Sequence, residues 1–364
     1  MRINRLIVSN FRNLGYVDIK PSPGFNVIYG KNGAGKTSIL EAVSFLAVGR
    51  SFRGGSLSSL VKQGEERFSL FAAVSREDDP AGPETRLGVS RGRRNGEGEI
   101  ALNGNRNARL SDIIRHICVQ VIHPMAAELI TGSPEERRHF MDWGLFYHFR
   151  DAARAFGNYR KVLAHRNQLL RENAPAKAFT VWNTLLSELA ESITELRREY
   201  LEILSGPLNA VLGQFLPEMT LSFDLNPGWA KDKPLEEVLE SGLERDKALN
   251  YTFSGSHRAD LRVKVNGQNA AWILSRGQLK LLVCALRLAQ AQSLREKTGM
   301  TSIFLIDDMG AELDERSRKI FTDNLTRSQS QIFMTNIELD AASRAFPGVR
   351  CFEMAAGEVA SVTE

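Results

Sequence analysis

Gly30-Lys31-Asn32-Gly33-Ala34-Gly35-Lys36-Thr37 is a complete G-x-x-x-x-G-K-[ST] loop. An apolar run (Phe25, Val27, Ile28, Tyr29) precedes it, and a helix-like run over residues 38–48 follows. The local order is therefore strand, loop, helix. Gly30, Gly33 and Gly35 let the backbone curl until its N–H groups converge on anionic oxygens. The helix adds the positive end of its dipole. Lys36 can reach β- and γ-phosphates, and the Thr37 hydroxyl can ligate Mg²⁺.

Working outward, a second apolar run, Ser302-Ile303-Phe304-Leu305-Ile306, ends in Asp307-Asp308. A run of this kind reads as a buried parallel strand. Ligands of open α/β sheets bind at the C-terminal ends of such strands. One carboxylate can hold the Mg²⁺ that Thr37 also touches, and its neighbour can position the attacking water.

Other segments carry a resemblance. Leu274-Ser275-Arg276-Gly277-Gln278, followed by an amphipathic helix over residues 279–294, resembles the signature of ABC-type ATPases, with Arg276 where transporters usually have glycine. Ala311-Glu312-Leu313-Asp314 resembles their D-loop. The strand Gln331-Ile332-Phe333-Met334-Thr335 ends in threonine where transporters carry a switch histidine. The opening, Asn4-Arg5-Leu6-Ile7-Val8-Ser9-Asn10-Phe11-Arg12-Asn13, resembles the SMC/Rad50/RecF group. The segments 49–53, 132–138, His257-Arg258-Ala259-Asp260-Leu261 and 274–278 stand in the order found in the bacterial RecF family, over essentially all 364 residues.

That resemblance implies an α/β fold. Its ABC-type ATPase head, a mixed sheet with helices plus an antiparallel β subdomain, is expected over residues 1–132 and 250–364, with a helical arm inserted at 133–249. It implies ATP and Mg²⁺ as cofactors, with the loop 30–37 and Arg12 binding nucleotide and Lys36, Asp307 and Asp308 in catalytic roles. Ser275, Gly277 and Gln278 would act in trans, on the nucleotide of a second subunit, in an ATP-dependent homodimer. It also implies binding to double-stranded or gapped DNA, and work with RecR, RecO and RecA in gap repair and replication restart, by a weak DNA-stimulated ATPase used as a switch. The competing classes are an ABC transporter ATPase subunit and an SMC-like tethering head. The first usually carries a switch histidine, and the second needs a long coiled coil.

Composition is that of an ordinary globular protein, 43% hydrophobic and 25% charged. No run of about 18 apolar residues is present, and the start alternates like a strand, so a cytoplasmic location is expected. Three widely spaced cysteines (Cys118, Cys284, Cys351) read as buried thiols. The net charge of +4 is uneven: residues 1–177 carry 27 Lys/Arg against 17 Asp/Glu, and residues 178–364 carry 20 against 26.

Residues 2–29 read as two strands with a turn near Pro21–Gly24, and residues 66–125 as antiparallel hairpins turning at Asp79-Pro80 and Asn103-Gly104. Arg91, Arg93 and Arg94 fall at a hairpin tip, in solvent or on DNA. Ser133-Pro134-Glu135-Glu136 is a helix start. Apolar spacing then predicts two antiparallel helices of about 30 residues broken near Asn173-Ala174-Pro175. Residues 136–177 hold 9 Lys/Arg and 4 Asp/Glu, so Arg137, Arg138, Arg150 and Arg154 are candidate DNA contacts or simply a solvated face. His257 is either a satisfied structural histidine or one facing nucleotide or DNA.

Overall fold

The computed structural model describes the chain except for residues 77–78, 80–81, 95–96, 309–312 and 364. It divides into two compact units, Met1–Ala126 with Leu294–Glu364, and Ala127–Ser293.

The first unit holds two sheets among the described residues. The six-stranded sheet runs Glu358–Thr363, Arg350–Ala355, Phe25–Tyr29, Gln331–Asn336, Ile303–Ile306, Val119–Ile122. The last five are mutually parallel, and Glu358–Thr363 is antiparallel at the edge. The strand Ile303–Ile306 is buried throughout, as a central parallel strand must be. Its register places Leu305 opposite Phe333 and Val121, and Ile28 opposite Thr335. The loop after Tyr29, Asp307 and Thr335 therefore arrive together at the C-terminal ends of three neighbouring parallel strands.

The five-stranded antiparallel sheet runs Tyr16–Ile19, Arg2–Ser9, Arg67–Ser75, Thr85–Gly92, Ile100–Leu102. Its last turn has Asn103 and Gly104 both at positive φ (50° and 85°), the geometry that favours Asn-Gly in hairpins. Residues 38–47 of the helix Lys36–Val48 are buried on every face, so it joins both sheets in one core. Phe11, Phe45 and Phe68 pack edge to face there, with centroids 5.1–6.3 Å apart.

Two expectations for this region change. Residues 2–29 form three strands, the third in the other sheet. Residues 119–122 leave the antiparallel series for the parallel sheet, where they pair in parallel with Ile303–Ile306. The turn at Asp79-Pro80 includes Pro80, outside the described residues, as are Ala311 and Glu312 of the D-loop segment. Asp314 caps the helix Glu315–Ser328, its carboxylate accepting from the Ser317 amide at 2.8 Å.

The second unit opens with the short helix Glu128–Thr131, followed by Pro134–His148, with Ser133 at its N-cap and Pro134 at its first position. The first arm helix is two helices, because extended backbone at Phe149 separates Pro134–His148 from Ala152–Arg171. Asn173 at φ 50° then turns the chain into Thr180–Phe215, 36 residues and about 54 Å long. Tyr159 packs with Leu186, Ala190 and Ile193, which holds Ala152–Arg171 against this helix. Residues 250–293, expected in the head, fall in this unit. The strand Asp260–Val265 pairs with Leu221–Asn226, and Gln290 donates to the Phe140 carbonyl and Tyr200 hydroxyl, both at 2.9 Å.

Candidate nucleotide site

The loop 30–37 adopts the curl its glycines permit. Gly30, Gly33 and Gly35 have φ of 144°, 80° and 105°. A Cβ on Gly30 would sit 2.3 Å from the Met354 carbonyl oxygen, and one on Gly35 would sit 2.6 Å from Leu14 Cδ2. A Cβ on Gly33 would meet nothing within 4 Å, so that position faces open space. Lys31, Asn32 and Ala34 complete the turn, with the Ala34 amide bonded to the Lys31 carbonyl at 3.1 Å. Lys36 Nζ folds back over the loop, donating to the carbonyls of Gly30 (2.6 Å) and Lys31 (3.1 Å).

Asp307 sits at the end of its strand, 9% exposed. Its Oδ1 accepts from the Thr37 hydroxyl at 3.0 Å and the Thr335 hydroxyl at 2.7 Å. Thr335 Oγ1 in turn accepts from the Asp308 amide at 3.0 Å. Asp308 has φ 50°, a conformation aspartate tolerates, and its side chain is exposed at the mouth. These groups line an open cleft of ≈ 870 Å³ together with Arg12, Asn13, Arg53 and Lys62. Thr37 and Asp307 are two hard oxygen donors side by side, which suits Mg²⁺, a cation that uses few protein ligands and completes its shell with water and phosphate. The residues present fit the metal.

Arg12 lines this cleft, but its guanidinium is committed. It forks onto Glu41 at 2.6 and 3.0 Å and donates to the Ser59 carbonyl at 3.1 Å. Glu41 is fully buried and also accepts from Ser51, with Arg53 at 3.9 Å. Asn13 braces the loop by donating to the Gly33 carbonyl (2.8 Å) and accepting from Ser38 (2.8 Å). Sequence reasoning passed over Asn13, Glu41 and the Thr335 contact. A carboxylate inside an otherwise apolar helix was the available signal for Glu41. Arg93 donates to the carbonyls of Val61, Lys62 and Glu65 and lines the cleft, so it is no free hairpin tip.

The signature segment belongs to the second unit. Ser275 and Gln278 form a reciprocal cap at the start of Arg276–Thr298: the Ser275 amide donates to Gln278 Oε1 at 2.9 Å, and the Gln278 amide donates to Ser275 Oγ at 3.3 Å. Ser275 and Gly277 are exposed, and a Cβ on Gly277 would meet nothing within 4 Å.

The four arm arginines separate into two pairs. Arg137 is paired with Asp260 at 2.7 Å and donates to two carbonyls. Arg138 donates to the Ala259 carbonyl at 2.8 Å, and burial lowers its pKa. Both hold the unit together. Arg150 and Arg154 are exposed, Arg154 pairing with the exposed Asp151. His257 is structural: its ring bonds Tyr159 OH at 2.7 Å and the Thr252 carbonyl at 3.0 Å, and burial lowers its pKa. The Tyr159 phenol, buried beside it, is pushed up to about 12.

The fold and cleft define a phosphate-loop ATPase head of the SMC-like class. The chain belongs to the RecF family within that class: a family model described as "RecF/RecN/SMC N terminal domain" matches residues 2–358. It is 39% identical over 361 residues to the DNA replication and repair protein RecF of Shewanella denitrificans, covering 99% of each. It is 40% identical to RecF of Haemophilus influenzae over 93% of this chain and 92% of that one. Among solved structures, the recombination mediator RecF with ATP matches with TM-score 0.87 and 28% identity, over 99% of this chain and 96% of that one. An Smc head domain from Pyrococcus furiosus matches with TM-score 0.58 and 19% identity over 99% and 95%, a likeness of fold. No helix among the described residues is long and apolar enough to cross a membrane.

Proposed function

We propose that this chain is an ATP-dependent DNA-binding recombination mediator. It dimerises on ATP, binds double-stranded or gapped DNA, and helps load RecA together with RecO and RecR. The observation that carries the reading is the junction of Thr37, Asp307 and Thr335 beside the glycine curl, in a chain 39% identical to RecF proteins. Lys36 neutralises the β- and γ-phosphates, and the loop amides orient them. Bound Mg²⁺, held by Thr37 and Asp307, supplies charge neutralisation at the phosphates. Thr335 fixes the Asp307 carboxylate and, through its hydroxyl, the backbone of Asp308, which positions the attacking water. Arg12 bears on the nucleotide through the cleft wall it forms with Glu41.

Ser275, Gly277 and Gln278 meet the γ-phosphate held by a second copy. ATP then stabilises the dimer through contacts that exist only in the closed state, and hydrolysis removes them. This makes the enzyme a slow, DNA-stimulated switch. The head comprises residues 1–132 and 250–364 and the arm residues 133–249 in this functional sense, although the compact units divide elsewhere. Exposed Arg150 and Arg154 remain the arm's contributors to DNA affinity.

The test is duplex-DNA binding by fluorescence anisotropy with and without ATP and Mg²⁺. Wild type should tighten with ATP, and Lys36→Ala should not. Equal affinity in all four conditions would refute the reading.

A further inference from the structure

Two loops of the second unit meet at an open cavity of ≈ 480 Å³, floored by Trp229 and Val238, which pack on the helical core. Its rim carries Phe253, 44% exposed, with the Arg245 guanidinium 4.1 Å from the ring centroid and that of Arg258 at 5.9 Å. Tyr251, 38% exposed, lies 5.3 Å from Arg258. The two exposed rings thus lie under two guanidiniums, Arg245 close over Phe253 and Arg258 within cation–π range of both, and nothing assigned above uses them.

The cations are under-committed. Among the described residues, no carboxylate lies within ion-pair distance of Arg258, and none lines the cavity. Arg245 has Asp246 at 3.8 Å and the Ser254 hydroxyl at 3.4 Å. Asp246 is itself 1% exposed and engaged by Arg166 at 2.8 Å and by the Phe253 amide at 3.1 Å. A guanidinium stacked on a ring keeps its in-plane N–H edge turned outward, the geometry that holds phosphate.

The platform is also rigid. The Gly255 amide bonds the Gly228 carbonyl at 3.1 Å, and a Cβ on Gly228 would lie 2.2 Å from the Gly255 carbonyl oxygen. Glycine alone permits that approach. Buried Arg166 holds Thr252 at 2.8 Å, and buried Arg197 holds the Ser256 carbonyl at 3.0 Å. The rings and cations are thus set before any ligand arrives.

We infer that this cluster is a binding site for single-stranded nucleic acid, one nucleotide deep. A base enters the apolar cavity against Trp229 and Phe253, and the flanking phosphates lie on Arg245 and Arg258. Stacking of this kind tolerates any base, while the phosphate contacts bring salt dependence. A purely apolar partner would leave two cations desolvated, and a duplex keeps its bases stacked and out of reach. The inference rests on the DNA-binding reading and adds to it a place where the unpaired strand of a gap is read.

The probe is a fluorescein-labelled thymidine 12-mer, titrated by anisotropy into the full chain across a salt series. Arg245→Gln with Arg258→Gln should weaken binding tenfold or more, and should flatten the slope of log affinity against log salt by about 1.4, roughly 0.7 for each lost phosphate contact. Phe253→Ala should weaken it about tenfold with the slope kept. Arg245→Lys with Arg258→Lys should keep the slope and lose part of the affinity. All three side chains face solvent, so melting midpoints should match wild type. ATP-promoted binding to a duplex of equal length should also be unchanged. Unaltered oligonucleotide affinity and slope in the double glutamine variant would overturn the inference and leave the cluster to a protein partner. If wild type ignores the oligonucleotide yet binds duplex with ATP, the single-strand site falls and the mediator reading stands. If it ignores both, both fall.

Discussion

Lys36 and Asp307 of the nucleotide cleft and the buried arginines of the second unit use charge in opposite ways, while Arg12 and Glu41 in the cleft wall pair as the buried arginines do. In the second unit Arg166 is fully buried, and its donors reach Asp246, Asn183 and Thr252 at 2.8 Å each. Arg197 is equally spent on Asp142 and Ser256. In the cleft, among the described residues, the Lys36 ammonium reaches only the carbonyls of its own loop, and the Asp307 carboxylate only two hydroxyls. Those contacts are weak enough to exchange for a phosphate and a cation. A charge with a full opposite partner is structure. A charge held in place by neutral groups is available for chemistry.

The difference can be broken most sharply in the cleft. Lys36→Ala should weaken ATP by about 100-fold, the loss of one charge-assisted contact, while the melting midpoint without nucleotide barely moves. Isothermal titration calorimetry and thermal melting read the two halves. Wild-type ATP affinity would remove Lys36 from the site.

In the second unit the effect moves to stability. Arg166→Ala leaves the Asp246 carboxylate buried without its partner and should cost about 3–5 kcal/mol. Arg154→Ala breaks an exposed pair and should cost less than about 0.5 kcal/mol. Urea unfolding of both variants checks the contrast.

A third comparison lies within the phosphate loop. Gly30→Ala drives a Cβ into the Met354 carbonyl at 2.3 Å and should destabilise by about 2 kcal/mol or more. Gly33→Ala meets nothing within 4 Å and should cost about 1 kcal/mol, for its φ of 80° alone.

The smallest effect concerns pH. Burial holds the His257 imidazole below its ordinary value of 6.5. The folded state then binds fewer protons than the unfolded one, so stability falls as pH drops below about 6.5. The melting midpoint should decline between pH 7.5 and 5.5, and by less in His257→Gln.

Much of the cleft was legible because its parts are contiguous in sequence. A glycine-spaced loop between strand and helix, and an apolar strand ending in two carboxylates, each declare their chemistry locally. Thr335 was visible only as a position lacking histidine, since its bond to Asp307 depends on register between parallel strands. Asn13 and Glu41 act across the fold: nothing in its neighbours marks Asn13, and the apolar helix around Glu41 marks it as unusual without naming its partner Arg12. The strand at 119–122 is four residues long, too short to show which sheet it joins. The break at Phe149–Asp151 is hidden because apolar spacing continues through it. Net charge did not separate Arg137 and Arg138 from Arg150 and Arg154, because partners such as Asp260 lie 123 residues away.

The central claim is that the cleft is completed by the signature of a second copy. Sedimentation velocity of wild type and Ser275→Arg, each with and without ATP and Mg²⁺, tests it most directly. Wild type should shift from monomer to dimer with ATP. Ser275→Arg should bind ATP, since Lys36, Thr37 and Asp307 are intact, and should remain monomeric. A Ser275→Arg variant that dimerises with ATP as wild type does would contradict the account.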